Sequence, residues 1–267
     1  MTRRGPRLRG LAVRWFSRAL VIALVIPAAS FAQAPRPVAH PLRFVLELEG
    51  GPAWQSYNDV EVPNDGTATR FSLADLAGKG PWMAGRLYLT WKVNERHGLR
   101  VLVAPFSLTS SGESDRPLVF SGATFAPGEP IEATYTFNSY RLSYRYRFRS
   151  TPRTAAWVGF TAKVRDAEIA LAQGATTARK DDLGFVPLLH VAGEWRAAPR
   201  WRVSLDADGL AGGPGRAVDA ALKLGYDGGG PWMVQAGYRT LEGGADVPEV
   251  YSFAWLHYAV ASVVWRW

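Results

Sequence analysis

Residues 139–148 alternate without a break. Ser139, Arg141, Ser143, Arg145 and Arg147 fall on one side, and Tyr140, Leu142, Tyr144, Tyr146 and Phe148 on the other. A period of two is the signature of an extended strand whose side chains point to opposite faces. A face bearing three arginines in succession cannot lie in hydrocarbon. If the aromatic face meets lipid, the arginines line a lumen. The same pattern turns Val218, Ala220, Leu222, Leu224 and Tyr226 outward, with Asp219 and Lys223 inward. It sets Trp232, Val234, Ala236 and Tyr238 against Gln235, Gly237 and Arg239. A water-soluble sandwich would reverse the assignment, so the ends of the strands and the start of the chain decide between the two.

Segments of this kind recur at 42–54, 82–94, 98–108, 131–149, 155–171, 183–196, 200–210, 217–227, 231–242 and 250–267, which predicts ten strands. A membrane barrel with both termini on the inner side alternates long outer loops with tight inner turns. The links 55–81, 109–130, 172–182, 211–216 and 243–249 are the long series, and Asn94–Gly98, Ser150–Thr154, Ala197–Pro199 and Asp227–Gly230 are the tight one. An error of one strand would break that parity. The expected fold is all-β, a single antiparallel transmembrane β-barrel over residues 42–267.

The chain opens with Arg3, Arg4, Arg7, Arg9, Arg14 and Arg18, then an apolar run from Ala19 to Pro27 and a small-x-small site at Ser30-Phe31-Ala32. This predicts a signal peptide over 1–32, cleaved after Ala32, and an N-terminal periplasmic segment over 33–41. The apolar run is well short of the roughly 20 residues of a spanning helix. Residues 1–32 carry six basic residues and no acid, so their removal takes the formal charge from +8 to +2. The inference from a basic chain to nucleic acid is thereby withdrawn. The chain has no Cys, which excludes disulfides, a lipoprotein cysteine and thiolate metal sites.

Aromatic residues gather near strand ends. Trp91, Trp195, Trp201, Trp232, Trp265 and Trp267 are expected in an inner membrane belt, and Trp54 and Trp82 in an outer one. With the terminal run Ala259, Ala261, Val263, Trp265, Trp267 on one face, and stretches such as Phe137–Arg141 and Gly237–Gly244, the chain resembles Gram-negative outer-membrane β-barrel proteins of a proteobacterial family that brings no known activity with it. The closing residue is Trp where that family usually has Phe. The resemblance implies export to the outer membrane, contact with lipid and lipopolysaccharide, and assembly by the barrel-assembly machinery.

The lumen holds the remaining candidates. Arg141, Arg145, Lys163, Arg165, His190, Glu194, Asp206, Asp208, Asp219, Lys223 and Arg239 form an expected charge network, with Asp219 roughly opposite Arg239 and His190 opposite Asp206 or Asp208. Mutual neutralisation would plug a narrow barrel, since eight strands are just filled by side chains and ten leave little bore. That gives a structural or surface role, with loops 55–81 and 109–130 as the contact surface. The alternative is a narrow selective or gated pore, in which acids on one wall and bases on the other set up a transverse field. The third reading is a hydrolase of lipid A or peptides using His190, Asp206 and Asp208, but no complete catalytic motif is present. The scattered histidines give no metal-ligand spacing, and no cofactor motif appears. The glycine-rich 209–216 lacks the Lys-Ser/Thr of a phosphate loop and reads as a flexible outer loop.

Overall fold

The computed structural model of the protein describes residues 43–267. The expected leader and the 33–41 segment lie outside the described residues. Ten strands form the wall: β1 (Phe44–Glu61), β2 (Trp82–Lys92), β3 in two arms (His97–Ala104 and Ser107–Gly112), β4 (Ile131–Ser150), β5 (Thr154–Gln173), β6 (Thr176–Arg196), β7 (Trp201–Gly212), β8 (Gly215–Asp227), β9 (Trp232–Val247) and β10 (Val250–Arg266). Each pairs antiparallel with the next, and β10 returns to β1 from Val45↔Arg266 to Glu61↔Tyr251, which closes the barrel.

Following the ladder from Phe44 through Trp91, Leu99, Tyr144, Phe160, Leu189, Gly209, Val218, Glu242 and Trp255 leads back to β1 at Tyr57. Discounting the bulge between Gln55 and Tyr57, that is a stagger of about twelve residues, which tilts the strands steeply in the manner of small barrels.

The inner turns fall where the sequence places them. The outer ends do not. β1 runs on to Glu61, and the expected loops 172–182, 211–216 and 243–249 shrink to turns at Gly174-Ala175, Gly213-Pro214 and Pro248-Glu249. These strand tops lose the alternation that lipid imposes: Arg179-Lys180-Asp181-Asp182 is polar on both faces, and 211–215 and 243–245 are runs of Gly, Ala and Pro. The stretch 209–216 is accordingly a hairpin tip, not a flexible loop.

The two long links are packed structures. Residues 62–81 carry a short helix, Leu73–Leu76, capped by the Ser72 hydroxyl, and 113–130 carry the paired strands Leu118–Phe120 and Ala123–Phe125. Their apolar side chains, including Phe71, Leu73, Phe120 and Phe125, pack with the lumen-facing Ala53, Ile131, Leu171 and Leu256. This core sits over the outer mouth on the β1 to β5 and β10 side.

The wall is split at two places. β2 pairs with β3 only over Leu87–Lys92, because β3 bends at Pro105 and its outer arm follows β4 alone. That split is filled: Gln55 donates to the Lys79 carbonyl (3.0 Å), and Gly112 lies so close to the Leu76 carbonyl that a Cβ there would overlap it. The second split lies between β6 and β7, which pair only from Leu189↔Gly209 to Arg196↔Arg202, whereas β6 pairs with β5 from Thr176 onward. Residues 176–188 therefore have no strand on their β7 side. Pro187, which has no N–H to give to a ladder, sits on this open edge, where proline is tolerated.

Candidate functional site in the lumen

The lumen is crossed near mid-height by one connected set of ion pairs, set inward by the same alternation on every wall strand. Asp219 on β8 accepts from three guanidinium groups: Arg141 of β4 (Nη2, 2.6 Å), Arg86 of β2 (Nη1, 3.0 Å) and Arg239 of β9 (Nη1, 2.5 Å). Arg141 also donates to Asp208 (2.8 Å) and Arg239 to Glu49 (2.9 Å). Glu49 and Glu47 take the Lys223 ammonium, the former at 2.9 Å. Lower in the lumen, Arg100 of β3 holds both oxygens of Asp206 on β7 at 2.6 and 2.8 Å, and Arg145 approaches the same carboxylate at 3.8 Å. Bidentate arginine–carboxylate contacts are the strongest and most directional of these. Arg86, Arg141, Lys163, His190, Asp208, Asp219 and Arg239 are all buried.

His190 is directly opposite Asp208, and its Nδ1 lies 2.8 Å from that carboxylate. The Thr161 hydroxyl donates to the same oxygen, and Ser143 adjoins Thr161 at 2.7 Å. Arg239 lies across from Ala221 and reaches Asp219 diagonally. Glu194 stands apart, with Arg202 (3.8 Å) near the inner rim, and Arg165 pairs with Asp182 near the outer rim. Lys163 has no carboxylate within ion-pair distance among the described residues, and its ammonium lies over the Phe137 ring at 4.7 Å.

Three consequences follow. Acids and bases interdigitate across the lumen, so the expected separation of signs is absent from this layer. Every oxygen of Asp206 and Asp208 is engaged by Arg100, Arg141, Thr161 or His190, which leaves neither of these two carboxylates free to act as a base. The ligand atoms of His190, Asp206 and Asp208 lie within 4.8 Å of one another. Yet a cation entering there would have to displace two guanidinium groups and meet the charge of Arg145. The donor set does not fit a metal ion.

Sequence reasoning missed Glu47, Glu49, Arg86 and Arg100. The signal was present: Glu47 and Glu49 alternate with Leu46 and Leu48, and Arg86 with Leu87, the same period that revealed Arg141. The outer surface carries the aromatics. Trp267 stacks on Phe44 (5.7 Å), Phe44 adjoins Trp91 (6.5 Å), Trp232 stacks on Trp265 (5.0 Å) and Trp201 meets Tyr226 edge-on (5.2 Å). Trp195 also faces out. Near the outer rim Trp54 stacks on His257 (6.1 Å), which adjoins Trp255. Trp82 does not belong to this belt. It lies opposite the buried Ala53 on the lumen face and packs against the loop core. Closeness to a strand end placed it in the belt, whereas its phase with Arg86 and Tyr88 sets it inside.

No protein-family profile matches the chain, and no curated protein sequence does. Solved structures do. The outer-membrane protease OmpT of Escherichia coli matches with a TM-score of 0.52 at 10% identity, over 84% of this chain and 97% of that one. The fold is that of the Gram-negative outer-membrane β-barrel proteins. Other solved structures align more loosely. The attachment invasion locus protein Ail of Yersinia pestis matches at TM-score 0.39 and 8% identity, over 85% of this chain and all of that one. Neisserial surface protein A matches at 0.36 and 12%, over 84% and 97%. At these identities the likeness is one of fold, so the activity of the outer-membrane barrel has to be argued from its own residues.

Proposed function

We propose that this outer-membrane barrel is a closed, non-enzymatic surface protein, exported by the leader 1–32 and inserted by the barrel-assembly machinery. The observation that carries this reading is Arg141 joining Asp208 and Asp219, with Arg86 and Arg239 on the same acid, so that side chains from β2, β4, β7, β8 and β9 meet in the lumen. The packed links 62–81 and 113–130 add an apolar layer above it and present their polar side outward as a contact surface. The exposed Trp, Tyr and Leu of the outer wall, such as Leu222 and Trp232, fit contact with lipid and lipopolysaccharide.

The test is reconstitution in planar bilayers. The native protein is expected to show no steady conductance. Asp219→Ala, which takes the shared acceptor from three guanidinium groups at once, is expected to give flickering openings. A steady, ion-selective current through the native protein would replace this reading with that of a selective pore.

A further inference from the structure

Above the ion-pair layer, on the side the loop core leaves uncovered, lies a cavity of about 400 Å³. This is the size of a small-molecule site. Its walls are largely apolar, with Tyr135, Phe137, Ile169, Leu188, Leu210 and Leu241 among them; Lys163 lines its inner end beside the bound pair Arg141 and Asp219, and the acids and bases nearer the rim, such as Asp182 with Arg165 and Glu242 with Arg216, are paired with one another. The β6–β7 split opens into it: Phe185, Val186 and Pro187 from one edge and Leu210 and Gly212 from the other all line the cavity. Phe185 and Leu183 on the open edge are among the most exposed apolar side chains of the wall.

Two features of this space bear on an occupant. Open strand edges in the hydrocarbon region are tolerated where they line a water-filled cavity, so this edge makes a lateral opening between the cavity and the lipid. The β2–β3 split has its filler in the 62–81 helix; at the β6–β7 split the Ser121 hydroxyl donates to the Arg179 carbonyl (3.1 Å) at the top, and the cavity opens below it at Phe185, Val186 and Pro187. Secondly, Lys163 is 3% exposed and is the one lumen cation of the network without a carboxylate partner among the described residues. Buried ammonium groups are rare unless paired, and the face of Phe137 compensates only in part. Arg141 cannot lend its acids, because both are already bound.

We propose that this cavity binds a single-chain fatty acid, taken sideways from the outer leaflet through the β6–β7 split. Its carboxylate pairs with Lys163 and its chain lies along Tyr135, Phe137, Ile169 and Leu241. The negative head supplies the missing partner and the apolar tail fills the walls. The lateral opening lets such a molecule enter without leaving the membrane. This inference is independent of whether the lumen conducts, because the cavity ends on the ion-pair layer at Arg141 and Asp219.

The test is calorimetric titration of the folded full chain in neutral-detergent micelles with laurate and, in parallel, dodecanol and dodecyl phosphate. Laurate is expected to saturate one site per barrel and to bind at least tenfold more tightly than dodecanol. Lys163→Met should remove that preference and Lys163→Arg retain it, with heat-modifiable gel mobility showing that each variant is folded. Linking Pro187→Cys to Ala211→Cys with a short bis-maleimide should slow laurate uptake from vesicles at least tenfold. Laurate binding no tighter than dodecanol, an unchanged preference in folded Lys163→Met, tighter binding of dodecyl phosphate than of laurate, or unchanged uptake by the linked barrel would each overturn the proposal.

Discussion

Arg141 and Asp219 stand four strands apart in the wall and meet in the lumen, Nη2 to Oδ2, at 2.6 Å. Both are buried, and each has a further partner: Asp208 for the arginine, Arg86 and Arg239 for the acid. A contact of this kind ties together parts of the barrel that the hydrogen-bond ladder does not join.

Its removal is expected to be costly and asymmetric. Asp219→Ala leaves three guanidinium groups facing one another in a space nearly closed to water, and breaking a buried ion pair by removing one partner costs roughly 3–5 kcal/mol. Arg141→Met takes away a cation whose neighbours Arg86 and Arg239 still neutralise Asp219, so a smaller loss is expected. Urea unfolding from lipid vesicles should rank the variants in that order. Equal losses would mean that Asp219 is not the hub of the network.

The outward assignment of Leu222 makes a second prediction. Leu222 is more than half exposed, on the face shared by Leu224 and Tyr226, and lies between the aromatic Tyr226 at the inner end of its strand and the Gly215 tip at the outer end. Leu222→Arg is expected to destabilise the folded barrel by about 2–4 kcal/mol, the cost of a cation near the bilayer midplane. The same substitution on a water-exposed face is usually neutral to about 0.5 kcal/mol. Unfolding in vesicles separates the two outcomes and tests directly which face meets lipid.

Much of this arrangement was legible in the sequence because lipid enforces a two-residue period. Where the period holds on both faces, as in 139–148, it revealed the strand, the lumen side and the arginines together. Legibility fails where lipid no longer acts. Thr176–Asp182 and Ser56–Glu61 carry polar residues on both sides, so they read as loop in the sequence although they continue the ladder and bury Val60 and part of Ala178. The charge network was only half visible for a different reason. Alternation says that Arg86 and Glu49 point inward, but not that they meet Asp219 and Arg239, which depends on the stagger of the closed barrel. The open edge of β6 has a local mark in Pro187, which became informative only once the β6–β7 ladder was seen to stop at Leu189.

In the loop after β1, Asp65 accepts from the Thr67 hydroxyl (2.5 Å) and amide (2.9 Å), and these donors hold its carboxyl below the usual carboxylate range. For a depressed carboxylate the linkage runs in one direction. The contribution is fully present above the unfolded-state pKa and is lost as pH falls through the lower folded-state value. Thr67→Val removes the hydroxyl donor and is expected to move the Asp65 titration upward, toward the ordinary aspartate value. Carbon-detected NMR titration of the labelled side chain reads this. No shift on substitution would show that the hydroxyl contact is not maintained in solution.

The seam between the first and last strands makes the final prediction. Phe44 and Trp267 exchange two backbone hydrogen bonds, at 2.9 and 3.1 Å, and stack at 5.7 Å, with Trp265 against Trp267 at 5.4 Å. Closing the barrel requires β1 and β10 to pair in register, so the aromatic contact at this seam acts on closure as well as on the lipid interface. Trp267→Phe keeps a ring over Phe44 and is expected to fold into vesicles nearly as well as the native chain. Trp267→Ala loses the stack, worth about 0.5–1.5 kcal/mol beyond its buried area, and should lower both stability and folding yield. Phe44→Ala should reproduce that loss, and the double variant should cost less than the two single ones combined, since both remove the same contact. Fully additive costs would indicate that Trp267 acts on lipid alone and that the seam is held by its backbone.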